Sequence, residues 1–219
     1  MTQTKLLGIF GGTFDPIHLG HLAVARYVLE HCQLDSVKLM PCHLPPHRAT
    51  PGVSSAERAR MVELAINTEP KLELELLELS LQQPSYSVNS LTLLQQQHPD
   101  AQLCFIIGMD SLQYFRSWHQ WQQILVLAHL IVLKRPGYSA KDGDAPELLA
   151  KYGISLTELR TRPAGGILLL DNPEFPESAT FVREQLAVNP TVQAMLPPAV
   201  LRYIQQHGLY GCAVSAAKV

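Results

Sequence analysis

Gly11-Gly12-Thr13-Phe14-Asp15-Pro16-Ile17-His18-Leu19-Gly20-His21-Leu22 lies directly behind the apolar run Leu6-Leu7-Gly8-Ile9-Phe10 and directly ahead of a stretch with helical periodicity. This order reads as a strand, a glycine turn and a helix N-terminus. Adjacent glycines predict a tight turn that brings backbone close to a ligand, and the first N–H groups of a helix, which have no intrahelical partner, face whatever sits there. An anion fits best. His18 and His21 fall three residues apart in the first helical turn, on one face, so both imidazoles project toward that anion. The stretch points to phosphate chemistry. The alternative is that His18 caps the helix and His21 packs.

Outward from this stretch, apolar, β-rich runs recur at residues 6–10, 36–41, 72–81, 103–108, 129–134 and 166–170. Helical patterns at 18–31, 54–68, 88–97, 118–127, 146–159, 178–187 and 198–207 separate most of them. Strands alternating with helices predict an α/β fold, an open, mostly parallel sheet with helices on both faces. In the helix at 54–68, Ser54 and Glu57 have the spacing of a capping box. Met61, Leu64 and Ala65 form its apolar stripe, while Glu57, Arg58, Arg60 and Glu63 are assigned to a solvated face. Residues 137–146 read as a surface insertion and residues 212–219 as a flexible tail behind a single domain, 1–211.

A chain of 219 residues with 47% hydrophobic content can build one large core. A net charge of −2 with no block of like charges disfavours a nucleic-acid surface working by bulk charge. The N-terminus has no signal-peptide pattern, and no apolar run approaches the roughly 20 residues needed to span a bilayer, so no membrane partner is expected. Cys32, Cys42, Cys104 and Cys212 are scattered without a C-x-x-C pair, as reduced cytoplasmic thiols would be. The adjacent pairs His31-Cys32 and Cys42-His43 are read as coincidence rather than metal ligation.

In open parallel sheets ligands bind beyond the carboxyl ends of the strands, so residues that follow strands carry the information. After the second run, Pro41-Cys42-His43-Leu44-Pro45-Pro46-His47-Arg48 is a proline-stiffened loop presenting two imidazoles and a guanidinium fork suited to phosphate. After the fourth, Asp110 is placed to accept ribose hydroxyls or to cap a helix, and the two roles are compatible. Lys134-Arg135 sits at the turn after the fifth. Ser178, Thr180 and Arg183 open a later helix with hydroxyls and an arginine on one face, a second phosphate cradle. Trp118 offers a flat face for stacking, and Ser85-Tyr86-Ser87 offers donors to a carboxylate.

The H-x-G-H sequence His18-Leu19-Gly20-His21 resembles the signature of the nucleotidylyltransferase superfamily. Neither G-x-G-x-x-G nor G-x-x-x-x-G-K-[ST] is present. Together with PPHR, SYS, FIIGMDSL, W-x-x-W, HLIVLKRPG, SATFVR and the closing stretch to Tyr210, it resembles the nicotinate-nucleotide adenylyltransferase family over nearly the whole chain. That resemblance implies a Rossmann-like nucleotidylyltransferase fold. It also implies adenylyl transfer from ATP to nicotinate mononucleotide, giving deamido-NAD and pyrophosphate. His18, His21, Arg48 and Arg183 become the catalytic set. ATP is assigned to Gly11, Gly12, Thr13, Phe14, Asp110, Ser178 and Thr180 with His18, His21 and Arg183. Nicotinate mononucleotide is assigned to Asp15, His43, His47, Ser87, Trp118, His119 and Arg135. Mg²⁺ is expected to arrive with ATP, and no protein metal site is expected. Ser87 stands where the family often has threonine, Arg48 where many members have lysine, and Glu177 where the position is usually apolar. Nicotinamide mononucleotide or phosphopantetheine as acceptor, and a non-catalytic nucleotide sensor, are the other readings. Oligomeric state is left open.

Overall fold

A computed structural model describes residues 4–43, 52–81, 85–173 and 178–213. The apolar runs fold as β1 (Lys5–Gly12), β2 (Ser36–Pro41), β3 (Leu72–Leu74), β4 (Ala101–Gly108), β5 (Ala128–Leu133) and β6 (Ile167–Leu170). All pair in parallel, in the order β3-β2-β1-β4-β5-β6. Helix α1 (Leu19–His31) joins β1 to β2, and α2 (Ser55–Ile66) joins β2 to β3. Between β3 and β4 lie α3 (Leu77–Ser80) and α4 (Ser87–Gln97), and between β4 and β5 lie α5 (Met109–Leu112) and α6 (Trp121–Leu127). After β5 comes α7 (Ala145–Tyr152), and after β6 come α8 (Ala179–Gln185), α9 (Pro190–Gln193) and α10 (Pro198–His207).

Side chains of a strand alternate between faces, and the core divides accordingly. Leu6, Cys104, Ile106, Ile131 and Leu133 pack on one face with α1, α2, α8 and α10. Leu7, Ile9, Leu103, Phe105, Leu130 and Val132 pack on the other with α4, α6 and α7. Burial on both faces explains why these strands read as unbroken apolar runs.

Several boundaries differ from the sequence expectation. The run at 72–81 is a strand only to Leu74, because the Glu75 carboxylate accepts from the Leu77 N–H (3.1 Å) and turns the chain into α3. The helix expected from residue 118 begins at Trp121, since Gln120 is left-handed (φ 50°) and Trp118 extended. The helix expected at 146–159 stops at Tyr152, where Gly153 turns extended and bridges to Ile167 of β6. The insertion after β5 is anchored: Gln113 donates to the Ser139 carbonyl (2.7 Å) and accepts from the Asp144 N–H (2.9 Å). The C-terminus carries a 3-10 turn at Leu209–Gly211; of the expected tail, residues 214–219 lie outside the described residues.

The largest correction concerns α2. Ser54 and Glu57 form the expected capping box, and Arg60 and Glu63 pair on an exposed face. Arg58, expected among the solvated charges, is instead 1% exposed. It precedes Met61, Val62 and Ala65 by three, four and seven residues, the spacing of a buried helical face.

Candidate active site

The strand order reverses between β1 and β4, so a crevice opens beyond their carboxyl ends. A cleft of about 660 Å³ occupies it, with Gly11 and Gly12 on one wall and Gly108 and Asp110 on the other. The glycines are the last two residues of β1 rather than the turn itself. The left-handed residue of the loop is Phe14 (φ 48°), whose ring is buried and meets Phe10 and His21 edge-on. A Cβ on Gly12 would lie 3.0 Å from the Phe14 ring, whereas one on Gly11 meets only ordinary contacts at 3.5 Å. Gly12 therefore lets Phe14 pack, and Gly11 leaves backbone bare toward the cleft.

His18 is the N-cap of α1, extended at φ −140°, ψ 173°. Its Nδ1 accepts from the His21 N–H (3.4 Å), and its own N–H donates to His21 Nδ1 (3.3 Å). The rings stack with centroids 3.7 Å apart. Capping and a place in the cleft, alternatives in sequence, are here one geometry. With each Nδ1 used as an acceptor, the hydrogen-bond network assigns the neutral tautomer with hydrogen on Nε2. Burial lowers His18 from 6.5 to about 4. Burial, then the charges of His18 and Arg135, lower His21 well below its ordinary value. Both imidazoles line the cleft as neutral donors near pH 7. Leu19 N–H is taken by the Met195 carbonyl (2.8 Å), which leaves the Gly20 N–H as the unpaired donor of this first turn among the described residues.

The loop between β1 and α1 is held from outside the signature. Arg183 donates to the Asp15 carbonyl (2.7 Å) and to Thr180 Oγ1 (3.3 Å). Tyr210 donates to Asp15 Oδ1 (2.6 Å), and burial together with that carboxylate pushes its phenol up. Asp15, assigned in sequence to the mononucleotide, lines the cleft but is only 8% exposed; its carboxylate accepts from Tyr210 and lies 3.8 Å from Arg183 Nη1, which helps to fix the loop. Arg58 donates from Nη1 to the Thr13 carbonyl and from Nη2 to the Cys42 carbonyl (2.7 Å).

On the β4–β5 side, Asp110 pairs with Arg135 (2.7 Å) while its Oδ1 is buried without a partner. An orphaned carboxylate oxygen in a cleft is an acceptor awaiting a hydroxyl. A Cβ at Gly108 would lie 2.3 Å from that same oxygen, so glycine there makes room for it. Arg135, assigned in sequence to the mononucleotide, lines the cleft, pairs with Asp110 and stands close enough to His21 to disfavour its charge. Ser178 precedes α8 with no capping bond from its side chain, and it lines the cleft with Thr180 and Arg183.

Trp118, Ser87, Ser85 and Glu78 also line the cleft. Trp118 leans on Phe105 and Phe115 (5.5 Å to the latter), and Ser87 is the first residue of α4. Two sequence assignments do not reach the cleft walls. His43 is tied to Ser55 Oγ (3.0 Å) and donates its N–H to Ser85 Oγ (3.1 Å). His119 is exposed against the Tyr86 ring and Gln120. His47, Arg48 and Glu177 lie outside the described residues.

Sequence reasoning missed Glu78, which is 4% exposed, accepts from Ser90 Oγ (2.7 Å) and is pushed up by burial. Glu78 is one of three glutamates in the run at 72–81, with Glu73 and Glu75, and nothing in the sequence sets it apart from the other two. It missed Arg58 because in-phase spacing was read as amphipathic charge. Among the described residues no group of three His, Cys, Asp or Glu side chains converges to hold a metal, and all four cysteines are free. Burial pushes the Cys32 thiol up to about 12. No helix among the described residues is long and apolar enough to cross a membrane.

Residues 9–184 match the family model described as Cytidylyltransferase-like. A Cronobacter sakazakii protein named "Probable nicotinate-nucleotide adenylyltransferase" is 43% identical over 205 residues, covering 92% of this chain and 94% of that one. A Cellvibrio japonicus protein of the same name is 42% identical over 206 residues, covering 93% and 98%. Nicotinic acid mononucleotide adenylyltransferase of Plasmodium falciparum, solved with NaAD, superposes with a TM-score of 0.70 at 19% identity, over 96% of this chain and all of that one. That likeness establishes the Rossmann-like fold.

Proposed function

The chain belongs to the nicotinate-nucleotide adenylyltransferases of the cytidylyltransferase-like family, and from that premise we propose how its cleft performs their reaction. It is a nucleotidyltransferase that moves the adenylyl group of ATP onto nicotinate mononucleotide, giving deamido-NAD and pyrophosphate in NAD biosynthesis. The observation that carries this reading is the reciprocal cap of His18 and His21. It fixes two neutral Nε2–H donors at the mouth of β1, in a cleft that Trp118 and Ser87 also line.

A phosphate monoester is largely dianionic near neutral pH, its second pKa being about 6, so the mononucleotide phosphate attacks without a general base. A phosphate oxygen forms a bond to the α-phosphorus of ATP as the bond from that phosphorus to the β-bridging oxygen breaks. Pyrophosphate departs with the electron pair. The protein aligns attacker and leaving group and stabilises charge growing on the phosphoryl oxygens. His18, His21 and the Gly20 N–H serve the α- and β-phosphates, while Arg135, Ser178, Thr180 and Arg183 serve the remainder of the triphosphate, with Arg48 assisting. Gly11, Gly12, Thr13 and Phe14 form the adenosine wall, and Asp110 Oδ1 accepts from a ribose hydroxyl. Mg²⁺ enters as part of the substrate, held by ATP and water.

Trp118 stacks on the pyridine ring, and Ser87 with the start of α4 receives its carboxylate. A donor-lined pocket leaves the NH₂ of a carboxamide facing other donors, at about 1–3 kcal/mol for each unpaired group. We therefore expect kcat/KM to favour nicotinate over nicotinamide mononucleotide by at least about a hundredfold. Cytoplasmic location and independence from nucleic acid and membrane are part of the same proposal, supported by the free thiols and the low net charge. The test is pyrophosphate release by purified protein with ATP, Mg²⁺ and nicotinate mononucleotide, nicotinamide mononucleotide or phosphopantetheine. Release with the first and little with the others is expected. Equal turnover of the two pyridine nucleotides removes the carboxylate pocket, and turnover of phosphopantetheine alone removes the assignment.

A further inference from the structure

Arg58 combines burial, charge and position in a way the reaction scheme above does not use. Arg58 is 1% exposed and is the largest fully buried side chain among the described residues, and no carboxylate among them lies within ion-pair distance. Its Nε is buried without a hydrogen-bond partner. A buried cation without a counter-ion is costly by several kcal/mol, and an apolar residue in phase with Met61, Val62 and Ala65 would pack the face of α2 without that penalty. Packing alone does not account for arginine here.

Its two donated hydrogen bonds do. One prong holds the Thr13 carbonyl, in the loop that leads to His18 and His21. The other holds the Cys42 carbonyl, at the start of the loop that follows β2. Among the described residues those two loops also meet where the Cys42 N–H donates to the Gly12 carbonyl (2.9 Å) and the Cys42 thiol reaches Thr13 Oγ1 at 3.8 Å. A planar fork with donors at a fixed separation sets the distance between two carbonyls in a way a single flexible ammonium cannot.

We propose that Arg58 is a positioning residue that locks the signature loop to the start of the loop after β2, so that the His18–His21 turn keeps one spacing to Cys42 and, through the His43 N–H to Ser85 Oγ bond, to the part of the cleft lined by Ser85 and Ser87. The proposal rests on the adenylyl-transfer reading for its effect on turnover and on the hydrogen bonds alone for its effect on the loops. Arg58 touches no reacting atom. It acts through Thr13 and Cys42, and misplacement of this kind lowers the rate far more than it weakens either substrate.

Arg58→Lys keeps the charge and loses the fork, and Arg58→Gln keeps a donor and loses the charge. Both variants are compared with wild type in kcat, in KM for each substrate, and in hydrogen exchange of the Cys42 and His43 amides. Both are expected to show kcat lowered about 10- to 100-fold with KM for ATP changed less than about threefold. Exchange at the two amides is expected to quicken about tenfold. Wild-type kcat and exchange in Arg58→Lys overturn the proposal, because charge alone then suffices. Failure of both variants to fold, with or without substrates, also overturns it, by making Arg58 a requirement of the fold. If wild type releases no pyrophosphate, the functional reading fails while the exchange data still decide whether Arg58 ties the loops.

Discussion

Helices α1 and α2 both begin with an N-cap side chain that accepts from the N–H three residues on, while the third residue reaches back to the N-cap N–H. In α2 the pair is Ser54 and Glu57, on the surface, at 3.2 and 3.1 Å. A carboxylate in the first turn also complements the helix dipole, so this end is complete by itself. In α1 the pair is His18 and His21, in the cleft, at 3.4 and 3.3 Å, and the first turn has no acidic residue. Its dipole is left for an anion from outside, and the ring nitrogens not used in the cap are donors. The same local device closes one helix end with a carboxylate and the other with two imidazoles and no acid, the end to which the proposed function brings phosphate.

The strongest way to break this comparison is to remove one member from each box. His21→Ala is expected to lower kcat about 100- to 1000-fold, the scale of losing one preorganised donor to developing charge, with a smaller change in KM for ATP. Steady-state turnover checks it, and near-normal kcat would make the α1 box as purely structural as that of α2.

Acid separates the two boxes next. His18 has its folded value near 4 against an ordinary 6.5, so between those values the unfolded chain binds a proton that the folded chain refuses. Stability from His18 is therefore full above pH 6.5 and is lost as pH falls toward 4, by about 3 kcal/mol in all. Urea unfolding across that range reads the slope, and His18→Asn, which keeps a capping acceptor, is expected to flatten it.

The smallest effect belongs to α2. Ser54→Ala is expected to cost about 1 kcal/mol and to lower Tm by about 2–4 °C, with kcat per folded molecule unchanged. Thermal unfolding beside a turnover assay checks both halves of that expectation.

Much of this was legible in sequence where residue type and spacing agreed. The strand, loop and helix around His18 and His21, the parallel sheet and the capping box of Ser54 were all readable from periodicity and cap chemistry. That His18 both caps the helix and lines the cleft was not, because cap and cleft residue are two readings of a histidine that compete on paper. Arg58 was misread because periodicity says which face a residue lies on and not what waits there. Here two backbone carbonyls from distant loops were waiting. The ion pair of Arg135 with Asp110 was not legible for a related reason, since it depends on β4 and β5 being neighbours. His43 and His119 stand one residue or less from cleft-lining neighbours, and sequence adjacency cannot tell which way a side chain turns.

The claim beneath these comparisons is that His18 and His21 present neutral Nε2–H donors, held so by the cap. Nitrogen-15 NMR of the imidazoles in the free protein at pH 7 tests it most directly. The expected spectrum has both rings protonated on Nε2 and bare on Nδ1, with no titration of His18 until near pH 4. Rings charged at pH 7, or hydrogen on Nδ1 of either histidine, would contradict it.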